Sequence, residues 1–169
     1  MIEEETVRDS KLNYYYPVQI GEVFQDRYRV IGKLGYGSAS TVWLCHDLEN
    51  DKGYVALKVY INRSKVHREL PIYTHIKSMN SEHAGLDCLR KLLNSFEITG
   101  PNGNNICLVH EALGPSLEDL RDRVPDREFA PDLVRQTLRD VLRVLPFSRE
   151  EAHVVHTGLQ SLFAPYLVF

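Results

Sequence analysis

The residues of this chain whose types and spacing could do chemistry lie in two short stretches. The first is Leu34-Gly35-Tyr36-Gly37-Ser38-Ala39-Ser40-Thr41-Val42, and the second is Val55-Ala56-Leu57-Lys58-Val59. Glycine has no Cβ, so Gly35 and Gly37 would let backbone approach a triphosphate closely, and a lysine on the next strand would supply a cation to the phosphates. Tyr28-Arg29-Val30-Ile31 before the glycines is β-branched and aromatic, and Ser40-Thr41-Val42-Trp43-Leu44 after them alternates polar with large apolar residues, the period of a strand. The glycines therefore sit at a strand-to-strand turn.

That setting separates three glycine-loop chemistries. A dinucleotide-binding loop needs a helix directly after the glycines, so that pyrophosphate meets its N-terminus, and Thr41-Val42-Trp43-Leu44 is a poor helix start. A Walker loop needs Gly-Lys-Ser/Thr, whereas Gly32-Lys33 is followed by Leu34. A glycine hairpin over phosphates followed by Val-Ala-x-Lys on the next strand is the arrangement that fits, with Ser40 where a third glycine would stand. For the glycines alone, a plain β-hairpin beside a surface lysine is an equally good reading.

The elements that must position these residues can be followed along the chain. Residues 1–13 are charged and aperiodic and read as a mobile tail; Tyr14-Tyr15-Tyr16-Pro17-Val18 reads as a lead-in packing on the first strand, with an aromatic docking patch as the alternative. Three antiparallel strands run through Tyr60, and Ser64 could cap a helix presenting Val66, Leu70 and Tyr73 on one face. Pro71 makes that helix begin late or kink. A strand ending near Ile98, a turn holding Asn102-Gly103, and a return strand Ile106–Glu111 complete five strands. Ala112-Leu113-Gly114-Pro115 reads as a hinge, and Ser116-Leu117-Glu118-Asp119 resembles a capping box. From Pro131, Leu133, Val134, Thr137, Leu138, Val141, Leu142 and Leu145 recur at helical spacing; Pro146 stops or bends the helix, and Phe147 to Ala152 reads as a connector. His153 and His156 could form a metal pair, but nothing at ligand spacing completes a site.

Composition bounds the rest. The chain has 169 residues, 43% hydrophobic and 25% charged, which suits one globular domain with a real core, and a net charge of −3 gives no electrostatic case for nucleic acid. Cys45, Cys88 and Cys107 are odd in number and lack C-x-x-C spacing, against both a zinc ribbon and a disulfide framework. The acidic N-terminus lacks the order of a signal peptide and no apolar run approaches membrane-spanning length, so the expectation is a soluble intracellular protein, cytoplasmic or nuclear, with no membrane contact.

With these motifs assembled, the chain resembles the N-terminal part of a eukaryotic protein kinase, more narrowly of the SR-protein-kinase-like group. The resemblance rests on Tyr15-Tyr16-Pro17-Val18-x-Ile20-Gly21-Glu22, Arg27-Tyr28-Arg29-Val30, Lys33-Leu34-Gly35-Tyr36-Gly37 and Ser40-Thr41-Val42-Trp43-Leu44, and continues through Arg68-Glu69-Leu70, Ile106-Cys107-Leu108-Val109, Glu111-Ala112-Leu113-Gly114 and Val155-His156-Thr157. It implies an α+β fold, a protein-kinase-like small lobe over 14–111 with a five-stranded antiparallel sheet and one αC-type helix. A hinge and the first helices of an incomplete helical lobe would follow over 112–160. By resemblance, ATP phosphates would lie under Leu34, Gly35, Tyr36, Gly37, Ser38, Ala39, Ser40 and Val42. Ala56 would line the site, Lys58 would contact the phosphates, Glu69 would pair with Lys58, His110 would be the gatekeeper, and Glu111 and Leu113 would read adenine. Without the resemblance, Glu69 reads better as one more solvated helix carboxylate. Family members transfer the γ-phosphoryl group of Mg-ATP to serines of arginine/serine-rich proteins, which makes ATP, Mg2+ and such proteins the implied partners.

The departure falls at His156-Thr157-Gly158-Leu159-Gln160, where the family places an aspartate at the position of Gly158 to orient and deprotonate the substrate hydroxyl. Residues 161–169 have no family counterpart and read as a foreign apolar tail, and the family's metal ligands and peptide-binding lobe have no match. The expectation is a truncated chain unable to catalyse transfer alone, either a pseudokinase-type binding fragment or a gene-model fragment. The stripe over 133–145 would then need a partner to cover it.

Overall fold

The computed structural model describes residues 14–50, 53–62 and 69–154. These fall into two compact units, one from the N-terminal side through Leu70 together with Leu92–Ala112, the other from Pro71–Lys91 together with the chain from Leu113 onward. Ser64, Val66, His156 and the whole segment from 155, Gly158 included, lie outside the described residues.

The first unit is an antiparallel sheet in the order β1-β2-β3-β4-β6-β5, with β1 at Val23–Phe24, β2 at Tyr28–Tyr36, β3 at Ser40–Asp47, β4 at Tyr54–Tyr60, β5 at Leu92–Gly100 and β6 at Gly103–Glu111. Period-2 alternation sends Val30 of β2, Trp43 and Cys45 of β3, Val55, Leu57 and Val59 of β4, and Cys107 and Val109 of β6 into one cluster, closed by Phe24 and Tyr28. Each fully buried aliphatic side chain of this kind contributes about 1.5–3 kcal/mol. Burial also pushes the Cys45 and Cys107 thiols up to about 12, so both behave as small apolar residues and not as nucleophiles.

The sheet has six strands where five were expected. Strand β1 is two residues long and reaches β2 through Gln25 and Asp26, both in the left-handed region at φ 54 and 53. Neither is the Asn-Gly or Asp-Gly that usually announces such a reversal, so the hairpin carries no sequence signal. Its far side is tied down by Arg27, which forms a two-pronged bridge to the buried Asp47 carboxylate, Nε to Oδ1 and Nη2 to Oδ2, both at 2.7 Å. At the β5–β6 hairpin the Asn-Gly signal does hold: Gly103 pairs with Gly100 and takes φ +126, which only glycine adopts readily.

In the second unit the described helices are α1 (Glu69–Ser78, whose first two residues belong to the sheet unit), α2 (Leu117–Arg123) and α3 (Pro131–Pro146). Helix α2 opens on the expected capping box, with the Asp119 amide donating to Ser116 Oγ at 3.0 Å and the Ser116 amide to Asp119 Oδ2 at 3.2 Å. The core of this unit is Leu89, Val144, Phe147 and Ala152, with Ile72, Ile76, Leu86 and Val141 packed against it.

Two expectations about α3 are corrected. The apolar stripe is not one face: Leu133, Thr137, Val141 and Val144 are at least partly buried, while Val134, Leu138, Leu142 and Leu145 are exposed, Leu142 by 65%. Val144, the residue that anchors the buried side, is absent from the stripe read in the sequence. Pro146 is the last residue of α3, but where a connector was expected after it the backbone goes on in one wider helical turn, Phe147–Glu151, that buries Phe147 completely. A proline in the last turn loses one amide donor without breaking the turns before it.

Candidate functional site

The glycine-rich stretch spans the end of β2 and the start of β3. Leu34, Gly35 and Tyr36 are the last residues of β2, Gly37-Ser38-Ala39 make the turn, and the Gly37 amide donates to the Ser40 carbonyl at 2.8 Å. Two register shifts in β2, between Val30 and Gly32 and between Lys33 and Gly35, bend the ribbon. Neither Gly35 nor Gly37 is in the left-handed region, and a Cβ on either would meet nothing within 4 Å. Backbone strain and internal packing therefore do not explain these glycines. Open space lies beside both, as it does at Gly32, and at the hairpin it is space that a ligand lying against bare backbone could use. Ser40, at the third-glycine position, is buried, and Val42 is half-buried.

The lead-in secures the tip. Tyr15 is 9% exposed and its hydroxyl donates to the Gly37 carbonyl at 2.9 Å; Tyr16 stands edge-on to Phe24 and donates to Glu22 Oε1 at 2.8 Å. Of the two readings of the tyrosine run, the structure shows packing on the sheet. The clamp on Gly37 was not read from the sequence, which holds three consecutive tyrosines with nothing to single out the middle one.

Strand register assembles the remaining residues. Gly35 pairs with Val42, Val42 with Lys58 and Lys58 with Leu108, so these form one row across β2, β3, β4 and β6. The adjacent row on the same face holds Leu44, Ala56 and His110. Because Val55, Leu57 and Val59 take the core face of β4, Ala56, Lys58 and Tyr60 take the opposite one.

On that face Lys58 Nζ donates to Glu69 Oε2 at 2.5 Å, with the two side chains 19% and 13% exposed. The Tyr60 hydroxyl donates to the same carboxylate oxygen, and His110 Nε2, fully buried, stands 3.7 Å from Oε1. Burial alone would raise the Glu69 carboxyl. The charge and hydrogen bond of Lys58, the Tyr60 hydroxyl and the charge of His110 outweigh it and hold Glu69 below the usual carboxylate range. Glu69 is thus a partnered carboxylate, not a solvated one, and Pro71 two residues on does not prevent the pair. Such a carboxylate fixes the direction of an ammonium that would otherwise sample many rotamers.

Glu111 is the last residue of β6 and is exposed, and Leu113 opens the second unit. Among the described residues no group of three His, Cys, Asp or Glu side chains could hold a metal ion. No helix among them is long and apolar enough to cross a membrane.

An antiparallel sheet with a glycine hairpin at one end and an interior lysine paired to a helix glutamate defines the class: the small lobe of the protein-kinase fold. A crystal structure of a kinase domain agrees, with a TM-score of 0.60 at 25% identity over 81% of this chain and 39% of its own. By sequence, a serine/threonine protein kinase of Aspergillus fumigatus is 41% identical over 96% of this chain, SRPK of Physarum polycephalum 36% over 94%, and human SRSF protein kinase 3 31% over 94%. Over nearly its whole length the chain is accordingly similar to serine/threonine protein kinases of the SR-protein-kinase-like group. It spans 41%, 38% and 28% of the length of those three relatives. No protein-family model matches it.

Proposed function

We propose that the sheet unit is the ATP-binding small lobe of an SR-protein-kinase-like serine/threonine kinase. The observation that carries this reading is the Lys58–Glu69 pair at 2.5 Å on the face away from the core, in the same cross-strand row as Gly35 and Val42. Open space over both glycines and a directed ammonium fit a polyphosphate. The backbone of Leu34 to Ser40 and Val42 would cover the phosphates, Lys58 would contact them, Ala56 and His110 would line the interior, and Glu111 would offer backbone groups to the base. ATP supplies the transferable phosphoryl group. The chain's own residues bind it, hold its charge and keep Lys58 from collapsing onto solvent.

Transfer to a serine of an arginine/serine-rich protein is the activity this family implies. Gly158 offers no acceptor for the substrate hydroxyl proton at the position where the family has aspartate. That feature favours a second reading, a nucleotide- or partner-binding module without transferase activity. Thermal melts of the chain with ATP, with and without magnesium, test the first reading: stabilisation that Lys58→Ala abolishes is expected, and no shift in the parent chain would contradict it. Radiolabelled transfer to an arginine/serine-rich peptide separates the two readings, and the Gly158 reading expects no transfer.

A further inference from the structure

Tyr60 was read in the sequence only as the end of a strand, yet it touches both members of the lysine–glutamate pair. It lies two residues after Lys58 on the same face of β4. Its hydroxyl donates to Glu69 Oε2, the oxygen that also receives Lys58 Nζ, and its ring lies 5.1 Å from that ammonium. The phenol is 6% exposed, and the backbone beneath it is held by Asn105, itself 2% exposed, whose Nδ2 donates to the Tyr60 carbonyl at 2.7 Å. The ring alone would fill the space and offer its face to the ammonium. A hydroxyl aimed at a buried carboxylate does more, because phenylalanine would fill the same volume and leave Oε2 with one donor fewer.

We propose that Tyr60 is a positioning residue for Lys58: its hydroxyl holds the Glu69 carboxylate and its ring face holds the ammonium, so that the lysine is presented to a bound polyphosphate in one orientation. The benefit to nucleotide binding rests on the ATP-lobe reading above; the hold on the carboxylate does not. An ammonium on a four-carbon stem loses rotamer freedom when it engages a ligand, and a partner set that has already fixed it lowers that loss. The hydroxyl also favours the ionised form of Glu69, in the direction in which that carboxyl is displaced.

The experiment uses the full chain with Tyr60→Phe, Tyr60→Leu and Glu69→Gln. First, the Glu69 side-chain carboxyl is titrated by 13C NMR without nucleotide. The charged and titratable groups facing it among the described residues are Lys58 and Tyr60 from β4 and His110 from β6. Tyr60→Phe is expected to move the Glu69 midpoint upward, because the charged form loses a donor. Second, ATP affinity measured by calorimetry is expected to fall severalfold to roughly tenfold in Tyr60→Phe, less than the full effect of a hydrogen bond to a charged group because the bond acts on Lys58 only through Glu69, and further in Tyr60→Leu, which also loses the ring. In a Glu69→Gln background Tyr60→Phe is expected to have much less effect on affinity. An unchanged Glu69 midpoint together with unchanged affinity in Tyr60→Phe would overturn the proposal and leave Tyr60 a packing residue. Should the parent chain bind no ATP while Tyr60→Phe still moves the midpoint, the hold on Glu69 stands and the nucleotide reading falls. If Tyr60→Phe does not fold, 3-fluorotyrosine at position 60, a stronger donor of nearly the same volume, decides: a midpoint moved downward supports the proposal and an unmoved one refutes it.

Discussion

The sheet unit and the helical unit solve the same packing problem with different completeness. In the sheet, the core cluster packs across strands, with Leu57, Val59, Cys107 and Val109 at most 1% exposed, while the exposed large apolar residues, Ile20, Val23, Ile31, Leu34, Tyr36, Tyr54 and Leu93, come from the segment before β1 and from β1, β2, β4 and β5. In the helical unit, α3 buries one side and leaves Val134, Leu138, Leu142 and Leu145 in a line along the other. The row holding Gly35, Val42 and Lys58 stands on the self-sufficient unit. A binding face needs a rigid support, and closed packing supplies it. An apolar line of four residues marks the opposite condition, a face whose packing is not satisfied by the described residues.

Cutting into each unit should break or sharpen that contrast. Leu57→Ala leaves a cavity between strands and is expected to destabilise the chain by about 2–5 kcal/mol, whereas Leu142→Ala should change stability by less than about 0.5 kcal/mol. Equal losses in denaturant titrations of the two variants would erase the distinction. A dye that fluoresces on apolar surface should bind the parent chain, and Leu138→Glu with Leu142→Glu should reduce the signal while leaving the circular dichroism of the sheet unchanged. An undiminished signal would place the exposed surface elsewhere.

Smaller effects come from the site's supports. Glu69 and Asp47 both titrate below the usual carboxylate range, Glu69 through Lys58, Tyr60 and His110 against the opposing effect of burial, Asp47 chiefly through its hydrogen bonds to Arg27. A depressed carboxyl stabilises the fold at pH values above its unfolded-state pKa, and that stability is lost as pH falls through the folded-state value. The chain is therefore expected to lose stability on acidification below the ordinary carboxylate range, and Asp47→Asn should flatten part of that acid limb. A limb identical to the parent's would remove the Arg27–Asp47 bridge from the account. Smallest of all, Tyr15→Phe removes one neutral hydrogen bond to the Gly37 carbonyl and should reduce stability by about 0.5–1.5 kcal/mol. It should also speed amide exchange at Gly37 and Ser38; unchanged exchange would mean the lead-in does not restrain the hairpin.

The contrast between the units also explains what could be read from the sequence. Strands β2, β3, β4 and β6 and the glycine turn were legible because period-2 patterns and local turn chemistry do not depend on distant partners. Strand β1 was not legible, since Gln25 and Asp26 adopt left-handed backbone without the usual residues. Nor could the division of α3 into two faces be read, because Leu133, Val134, Val141 and Leu142 are all apolar and only tertiary packing decides which of each adjacent pair turns inward. Tyr15 and Tyr60 escaped for a related reason: an aromatic residue beside a strand reads as packing until its hydroxyl is seen against Gly37 or Glu69. Glu69 needed the family resemblance, since a helix glutamate eleven positions after a lysine carries no signal by itself.

The central claim is that bare backbone at Gly35 and Gly37 and the ammonium of Lys58 face one ligand. Titrating isotope-labelled chain with ATP and following the Gly35 and Gly37 amides together with the Lys58 side chain by NMR tests it most directly. All three signals should move with a single dissociation constant, and the two amides should lose their response in Lys58→Ala. Amides that stay still while ATP binds, or a Lys58 signal that moves with a different affinity, would contradict the account.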